Sequence, residues 1–271
     1  MSLITKINWT NSTWNPVRGC TKISAGCANC YACTFAERFR GVKGHPFEQG
    51  FDIRLVPDKL CEPLKWPSPK IVFVNSMSDL FHEEIPTDYI LRVFNVMKFT
   101  PWHTYQVLTK RPDRMKSLLK GEGRFISTCK NIWWGVTVEN MKCISRVDTL
   151  RDIPVDTRFL SLEPLLENLQ LNLSGIHWAI VGGESGPRAR PIEKSWVENI
   201  LRQCQKAHVP FFFKQWGGVH KSTTGRTLNG KIYDEMPKPS SVPILPRADR
   251  MKTIENIERA MESSVIDDMG N

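Results

Sequence analysis

Several features that would assign this 271-residue sequence to a class are missing from it. No apolar run approaches 18 residues, so no membrane-spanning helix is predicted. The first six residues lack the apolar core of a signal peptide, and we therefore expect a cytoplasmic protein. Eight cysteines are too few for a disulfide scaffold. No Gly-x-Gly-x-x-Gly follows the first predicted strand, which argues against a dinucleotide-binding domain.

Acidic residues are in the minority. The 37 Lys and Arg residues outnumber the 28 Asp and Glu residues, which gives a formal net charge of +9. This excess favours a polyanionic partner or an anionic cofactor without identifying either. Hydrophobic residues make up 41% of the chain and charged residues 24%, values that are typical of a globular protein and exclude disordered and fibrous classes.

Apolar, β-branched runs alternate with stretches of helical periodicity along most of the chain. Strands are predicted at residues 13–18, 71–74, 105–108, 132–138, 158–162, 178–181 and 209–214, and helices at residues 31–40, 87–98, 112–119, 139–150, 164–171 and 193–207. Strict alternation of this kind predicts an α/β fold with a parallel sheet covered by helices. The pattern alone leaves open whether the sheet is doubly wound or curled into a barrel.

Three further segments complete the predicted organisation. Residues 41–69 are polar and proline-rich, and they form an insertion after the first helix. Asn229-Gly230, between short β-prone pairs, predicts a hairpin. Residues 237–246 contain four prolines, as a linker does, and residues 251–265 form either a polar helix or a disordered tail. We expect an α/β domain over residues 1–218, a hairpin region over 219–237, and a linker with a polar tail over 238–271.

Half of the cysteines fall within one stretch of fourteen residues. They are spaced Cys20-x6-Cys27-x2-Cys30-x2-Cys33, and Gly26 lets the loop bend. Three thiolates on one loop can ligate three irons of a four-iron, four-sulfur (4Fe-4S) cluster and leave the fourth iron open. A zinc ion held by all four thiolates is the alternative. The single stretch, and the position of Cys33 inside a predicted helix, favour the three-cysteine iron–sulfur site.

Further motifs extend the pattern beyond this loop. They lie at residues 7–10, 14–16, 19–32, 76–81, 108–112, 134–140, 161–165, 182–186 and 213–217. On these motifs the chain resembles a phage-associated family of unknown function with a three-cysteine motif. The loop itself, Gly-Cys-x6-Cys-x2-Cys-Tyr-Ala at the end of the first strand, also resembles the cluster loop of radical S-adenosylmethionine (SAM) enzymes.

This resemblance implies a fold and a chemistry. The fold is a partial (β/α)6 barrel of TIM-like type with a C-terminal hairpin and tail. The cofactors are a 4Fe-4S cluster on Cys20, Cys27 and Cys30, with SAM at the open iron. An external electron donor reduces the cluster, and cleavage of SAM gives a 5′-deoxyadenosyl radical that acts on a substrate. The first cysteine gap is six residues where the superfamily commonly has three, and Gly182-Gly183-Glu184 follows the sixth strand where the superfamily often has such a motif after the second.

Ligands of a βα barrel bind at the carboxyl ends of its strands, and here the predicted strands end in polar residues. A single ending is also what a helix N-cap requires, but six together indicate a shared polar pocket. Asp79 or Ser76 is expected to receive the SAM amine, and Glu139 or Asn140 to bind its ribose. The full set of expected cofactor contacts is Ser76, Ser78, Asp79, Thr137, Glu139, Asn140, Gly182, Gly183, Glu184 and Ser185.

Basic and aromatic residues near the same strand ends suggest the substrate. Expected substrate contacts are Lys110, Arg111, Arg188, Lys214, Gln215 and Trp216. Trp216 is expected to be an exposed stacking residue, although a solvated basic face is the structural alternative. With Cys33 and Glu163 as candidate catalytic residues, we predict a radical SAM-type enzyme acting on a nucleic acid or nucleotide. The alternatives are a zinc-stabilised, non-catalytic nucleic-acid-binding protein and a barrel enzyme acting on a phosphorylated small molecule; no oligomeric state is predicted.

Overall fold

The structure, a computed structural model, describes residues 5, 7–219 and 224–268, with side chains described to residue 259. The strands are β1 (Ser12–Trp14), β2 (Val17–Arg18), β3 (Arg54–Leu55), β4 (Ile71–Val74), β5 (Thr104–Thr109), β6 (Ile132–Thr137), β7 (Thr157–Leu162), β8 (Trp178–Gly182), β9 (Phe211–Gln215), β10 (Thr227–Leu228) and β11 (Lys231–Ile232). The helices are α1 (Tyr31–Glu37), α2 (Glu62–Lys65), α3 (Thr87–Phe99), α4 (Pro112–Lys120), α5 (Ser145–Arg151), α6 (Lys194–Ala207) and α7 (Arg247–Asp268). Short 3-10 turns lie at Ala25–Cys27, Pro57–Lys59, Glu122–Ile126 and Met141–Cys143.

Seven of these strands form one parallel sheet in the order β1-β4-β5-β6-β7-β8-β9. Each strand of this sheet pairs with the next one along the chain, because the intervening segments return the chain to the adjacent position. Six of the seven expected strands are confirmed, and the strand expected over residues 13–18 is divided between β1, in this sheet, and β2, which pairs with β3. In the described part of the chain, β1 and β9 each pair with one neighbour, so the curled sheet is an open half-barrel and not a closed one.

The two faces of this sheet are packed differently. The face toward the helices is mainly aliphatic, with residues such as Val72, Val107 and Val136 at 1% exposure or less. The inner face carries a second buried cluster, here called the aromatic cluster: Trp9, Phe73, Trp133, Phe159, Trp178, Ile180 and Phe212. Gly135 makes room for this cluster, since a Cβ there would lie 2.4 Å from the Phe159 ring. The aromatic cluster fills the amino half of the half-barrel and leaves the carboxyl half open.

Two helix predictions are corrected by the structure. Residues 164–171 form no helix, because the backbone is tied to the strand ends; the Leu165 N–H, for example, donates to the carbonyl of Gly182 over 3.0 Å. The helix predicted over residues 139–150 begins only at α5, after a 3-10 turn. In both places backbone hydrogen bonds to neighbouring elements outweigh the local helical pattern.

Helix α1 is shorter than predicted, and a different face of it is buried. Ala32 and Ala36 pack inward, whereas Tyr31 is 54% exposed and Phe35 44%. The aromatic stripe seen in the sequence is therefore not the face that α1 buries in the core, since the small alanines are the residues packed there.

The predicted insertion and tail pack against each other. Strand β3 of the insertion pairs in antiparallel fashion with β2, which precedes the cysteine loop, and Leu60 and Trp66 of the insertion are buried. Helix α7 includes the polar helix predicted over residues 251–265. It packs against the insertion, because Arg250 donates to the carbonyls of Leu64 at 2.8 Å and Trp66 at 2.6 Å. The tail is therefore a helix held by buried hydrogen bonds.

The predicted hairpin is confirmed by the antiparallel pair β10 and β11. Its turn residues Asn229 and Gly230 have φ values of 50° and 76°, the left-handed conformation that a two-residue hairpin turn needs. Residues 220–223 of the expected hairpin region lie outside the described residues. In the described part of the chain, no helix combines the length and the hydropathy that a bilayer crossing requires.

Candidate active site

A cavity of about 410 Å³ lies above the aromatic cluster, at the carboxyl end of the sheet. Its walls come from the ends of six strands, β4 to β9, so side chains from the predicted strand endings share one cavity, together with apolar residues such as Trp9 and Phe73. The predicted site residues that line it are Ser76, Ser78, Asp79, Lys110, Arg111, Thr137, Glu163, Ser185, Lys214 and Gln215.

Three cysteines share this cavity and the fourth does not. Cys20, Cys27 and Cys30 line it, whereas Cys33 lies on α1 and lines only an adjacent surface groove, which Cys30 also borders. Among the described residues, no three Cys, His, Asp or Glu side chains are placed to hold a single metal ion. The irons of a cluster each take their own thiolate, so three thiols around one cavity need not converge on a single point.

The thiols of the loop differ in how readily they lose a proton. Burial raises the pKa of Cys20 to about 11, and the Asp79 carboxylate adds to the rise, while the Arg111 guanidinium at 3.5 Å opposes it. Burial also acts against ionisation of Cys27, but the Lys110 ammonium and hydrogen bonds from the loop outweigh burial and lower the pKa of this thiol. The side of the cavity nearest Lys110 is thus the more favourable one for a thiolate.

A buried ion pair ties the first cysteine to the strand ends. Asp79 is 6% exposed; it accepts the Thr109 hydroxyl at 2.7 Å and pairs with Arg111 at 3.3 Å. Arg111 in turn pairs with Glu83 at 3.0 Å and donates to the Thr21 hydroxyl, also at 3.0 Å. Asp79 and Arg111 both line the cavity, but most of their hydrogen bonds are made to other groups of the protein. The substrate contact expected of Arg111 and the SAM contact expected of Asp79 stay predictions.

Half of the expected cofactor contacts lie outside this cavity: Glu139, Asn140, Gly182, Gly183 and Glu184. Gly183 serves close packing, since a Cβ there would lie 2.0 Å from the Trp216 carbonyl oxygen. Glu139 and Glu184 bond to the cysteine loop. Burial works against ionisation of both carboxyls, but hydrogen bonds and nearby arginines outweigh it and lower the pKa of each. For these five residues the cavity offers no support for a cofactor contact.

The sequence of this chain matches one family model over residues 4–237. That family is DUF5131, described as proteins of unknown function. The chain belongs to the DUF5131 family. The matched region covers the half-barrel and the hairpin and ends before α7. No curated protein matches the DUF5131 chain in sequence.

Two solved structures of spore photoproduct lyase are similar to the DUF5131 fold. One is a doubly substituted variant with bound AdoMet and dinucleoside spore photoproduct, and the other is a complex with dinucleoside spore photoproduct. Each matches with a TM-score of 0.47 and 11% sequence identity, over 76% of this chain and 64% of the lyase chain. The DUF5131 chain thus spans less than two thirds of the length of these structures.

The cavity wall of the DUF5131 chain also carries an ion pair. Lys214 and Glu163 lie 2.8 Å apart and are 23% and 13% exposed. The Ser161 hydroxyl donates to the second oxygen of Glu163 at 3.1 Å, and Gln215 hydrogen-bonds to Ser185. This wall offers a cation, an anion and an amide side by side, and so keeps both Glu163 and Lys214 as site candidates.

Two expected substrate residues lie elsewhere in the DUF5131 chain. The prediction that Trp216 is an exposed stacking residue is wrong: its ring is half-buried, packs edge-on against Phe213 at 4.7 Å, and donates its N–H to the Thr227 carbonyl. Its place beside two glycines in the sequence gave no sign of this packing. Arg188 lines the surface groove that also contains Cys33, so it is not part of the cavity.

Sequence reasoning missed several cavity residues in this DUF5131 chain, among them Asn75, Trp9 and Tyr31. Asn75 and Trp9 line the cavity floor, and both amide atoms of Asn75 and the indole nitrogen of Trp9 are buried with no hydrogen-bond partner among the described residues. Tyr31 lines the wall and donates its hydroxyl to the Ser76 carbonyl at 2.7 Å. An Asn directly after a strand is a detectable signal, and here it adopts a φ of 59°. Trp9 gave no signal beyond its apolar character.

Proposed function

We propose that this DUF5131 protein is a radical SAM-type iron–sulfur enzyme. In this proposal Cys20, Cys27 and Cys30 hold a 4Fe-4S cluster, and SAM occupies the cavity at the carboxyl end of the half-barrel. The observation that carries the proposal is that these three thiols line one cavity with the polar strand ends, while Cys33 lines only the adjacent groove that Cys30 also borders.

The donor set of the cavity fits such a group. Three thiols at its rim are the soft ligands that iron–sulfur clusters use. The buried polar atoms of Asn75 and Trp9 have no partner in the described protein, and the Lys110 side chain forms no ion pair there. Unpaired polar groups beside a cavity are costly unless a ligand or water satisfies them. The cavity therefore has unmet capacity for a polar, charged ligand such as SAM.

The chemistry divides between the bound group and the chain. When bound, a 4Fe-4S cluster with one open iron supplies an electron to SAM, whose cleavage yields a 5′-deoxyadenosyl radical. The chain's own residues would orient the cluster loop and SAM and enclose them. Arg111 holds the Cys20 segment against Asp79. Lys110 would offer a cation to the SAM carboxylate, and Ser76 and Thr137, which line the cavity, would offer hydroxyls to its amine or ribose. The aromatic cluster beneath excludes water from the floor of the cavity.

Metal analysis of matched cysteine variants tests the proposal. Wild type, Cys27→Ala and Cys33→Ala are purified anaerobically, and iron, sulfide, zinc and the visible spectrum are measured. We expect about four irons per chain in wild type and in Cys33→Ala, and none in Cys27→Ala. Reduction of the iron-loaded wild type with SAM present is expected to release 5′-deoxyadenosine.

Two outcomes contradict the proposal. A wild type that holds one zinc and gains no iron on anaerobic reconstitution excludes the cluster. Equal loss of metal in Cys27→Ala and Cys33→Ala points to a four-thiolate site, and so to the zinc-stabilised binding protein.

The predicted nucleic acid or nucleotide substrate is proposed on the basic residues of the cavity alone. Lys110 is the strongest of them, because its ammonium forms no ion pair within the described residues.

A further inference from the structure

Glu139 approaches the cysteine loop from outside the cavity. It follows β6, is fully buried, and accepts the N–H of Gly26 on one oxygen at 3.1 Å. Its other oxygen pairs with Arg146 at 2.9 Å. The approach is close enough that a Cβ on Gly26 would lie 3.0 Å from the carboxyl group. Position 26, immediately before a cysteine of the motif, is therefore fixed to the end of β6.

Glu184 holds the same loop from the end of β8. It is 6% exposed and accepts the Asn29 side-chain N–H at 2.9 Å. It also pairs with Arg190 at 2.6 Å, and a second N–H of that guanidinium donates to the Ala25 carbonyl at 2.9 Å. Positions 25 and 29 are thereby fixed, one on each side of Cys27 and the second of them adjacent to Cys30.

Neither carboxylate lines the described cavity, and each is neutralised by an arginine. Glu139 accepts the Gly26 N–H, Glu184 accepts the Asn29 side chain, and the Arg190 guanidinium paired with Glu184 donates to the Ala25 carbonyl. Residues 25, 26 and 29 flank Cys27, and residue 29 precedes Cys30. We propose that Glu139 and Glu184 are positioning residues that hold Cys27 and Cys30 in register toward the cavity. This inference rests on the proposed iron–sulfur function and replaces the cofactor contact expected for both residues from the sequence.

Amide hydrogen exchange on the metal-free, full-length protein tests the hold on the loop. The proteins are wild type, Glu139→Gln, Glu184→Gln and the control Glu198→Gln, which removes a carboxylate paired with Lys194 on α6. Exchange in residues 24–29 is expected to quicken about tenfold or more in the first two variants, since hydrogen bonds to charged groups contribute at least that much. The control is expected to leave this segment unchanged.

A double-mutant cycle tests whether Glu139 acts on the loop through its contact with Gly26. Gly26→Ala disturbs the Glu139 contact from the loop side. If the two residues act through one contact, Gly26→Ala combined with Glu139→Gln speeds exchange by less than the product of the single effects. If exchange in the double variant instead speeds up by the full product of the two single effects, the two residues share no contact, and the role of Glu139 is overturned.

Iron loading and the spectrum of the reduced cluster then separate positioning from a merely structural role. We expect Glu139→Gln and Glu184→Gln to load less iron per folded chain than wild type, or to give an altered electron paramagnetic resonance spectrum. Unchanged exchange in both variants overturns the inference, and so does faster exchange with wild-type iron content and spectrum. A wild type without iron refutes the proposed function instead, and the exchange data still decide whether the carboxylates hold the loop.

Discussion

The two ends of the half-barrel are built from the same strands and differ in almost everything else. At the amino end, aromatic rings meet edge-on, as Trp133 and Trp178 do with centroids 5.7 Å apart. Two residues further along a strand, the same inner face becomes polar: Phe159 gives way to Ser161 and Phe212 to Lys214. The residues that pack the core and the residues of the candidate site thus lie mainly at different ends of the strands. Substitutions at the two ends should therefore change different observables.

The largest expected effect is at the amino end, in Trp178→Ala. Trp178 is fully buried in the aromatic cluster, and its indole N–H is hydrogen-bonded to the Glu235 carbonyl at 2.8 Å. We expect the free energy of unfolding to fall by about 3–5 kcal/mol, as for other buried Trp truncations. Urea unfolding followed by circular dichroism measures this. Iron loading per folded chain is expected to be unchanged, and a selective loss of iron at full stability would break the separation of the two ends.

The next largest effect is a pH dependence that also belongs to the amino end. His103 lies just before β5 and is fully buried, and its Nδ1 accepts the Lys70 N–H just before β4. Burial lowers the pKa of His103 to about 4, from 6.5. Between these values the unfolded chain binds more protons than the folded one, so stability is lost as pH falls. The loss over the whole window is on the order of 3 kcal/mol.

Urea unfolding between pH 7.5 and pH 4.5 checks this linkage in wild type and in His103→Gln. The dependence of unfolding free energy on pH is expected to be smaller in the variant. His82 and His177, whose pKa values are also lowered by burial, contribute to both proteins alike. Equal pH dependence in the two proteins would assign the effect to those other histidines.

Much of the fold was predictable because its strands are buried on both faces. Such strands are continuous apolar runs, and six of the seven were found as such from the sequence. The segment 164–171 failed because its backbone groups bond to strand ends distant in sequence, which no local pattern encodes. The hairpin succeeded because Asn229-Gly230 specifies its own turn.

The candidate site divides along the same line. Cys20, Cys27 and Cys30 sit on one loop, so their spacing alone suggested a shared site. Glu139 and Glu184 were expected at the cavity but do not line it. A strand ending shows where a side chain begins along the chain, but not the direction in which it points. Their direction depends on where the cysteine loop packs, which is a tertiary property.

The smallest expected effect is at the carboxyl end, in Lys110→Met. The Lys110 ammonium has no ion pair within the described residues, so we expect the free energy of unfolding to change by no more than about 0.5 kcal/mol. Its charge helps to lower the pKa of Cys27 against the opposing effect of burial, and its loss should raise that pKa. Alkylation of Cys27 by iodoacetamide in the metal-free protein at pH 7.5 should therefore slow, by up to about tenfold per unit of pKa.

Mass-spectrometric mapping follows Cys27 beside Cys33 in the same molecules, with the exposed Lys120→Met as the control variant. Because Cys33 lies on the other side of α1, outside the cavity, its alkylation rate should stay near the wild-type value in Lys110→Met. Equal slowing of both thiols, or the same slowing in Lys120→Met, would mean that the charge acts through the general field of a basic protein. Slowing confined to Cys27 would mean that the carboxyl end tunes one thiol at almost no cost in stability, which is the sharpest form of the contrast with the aromatic end.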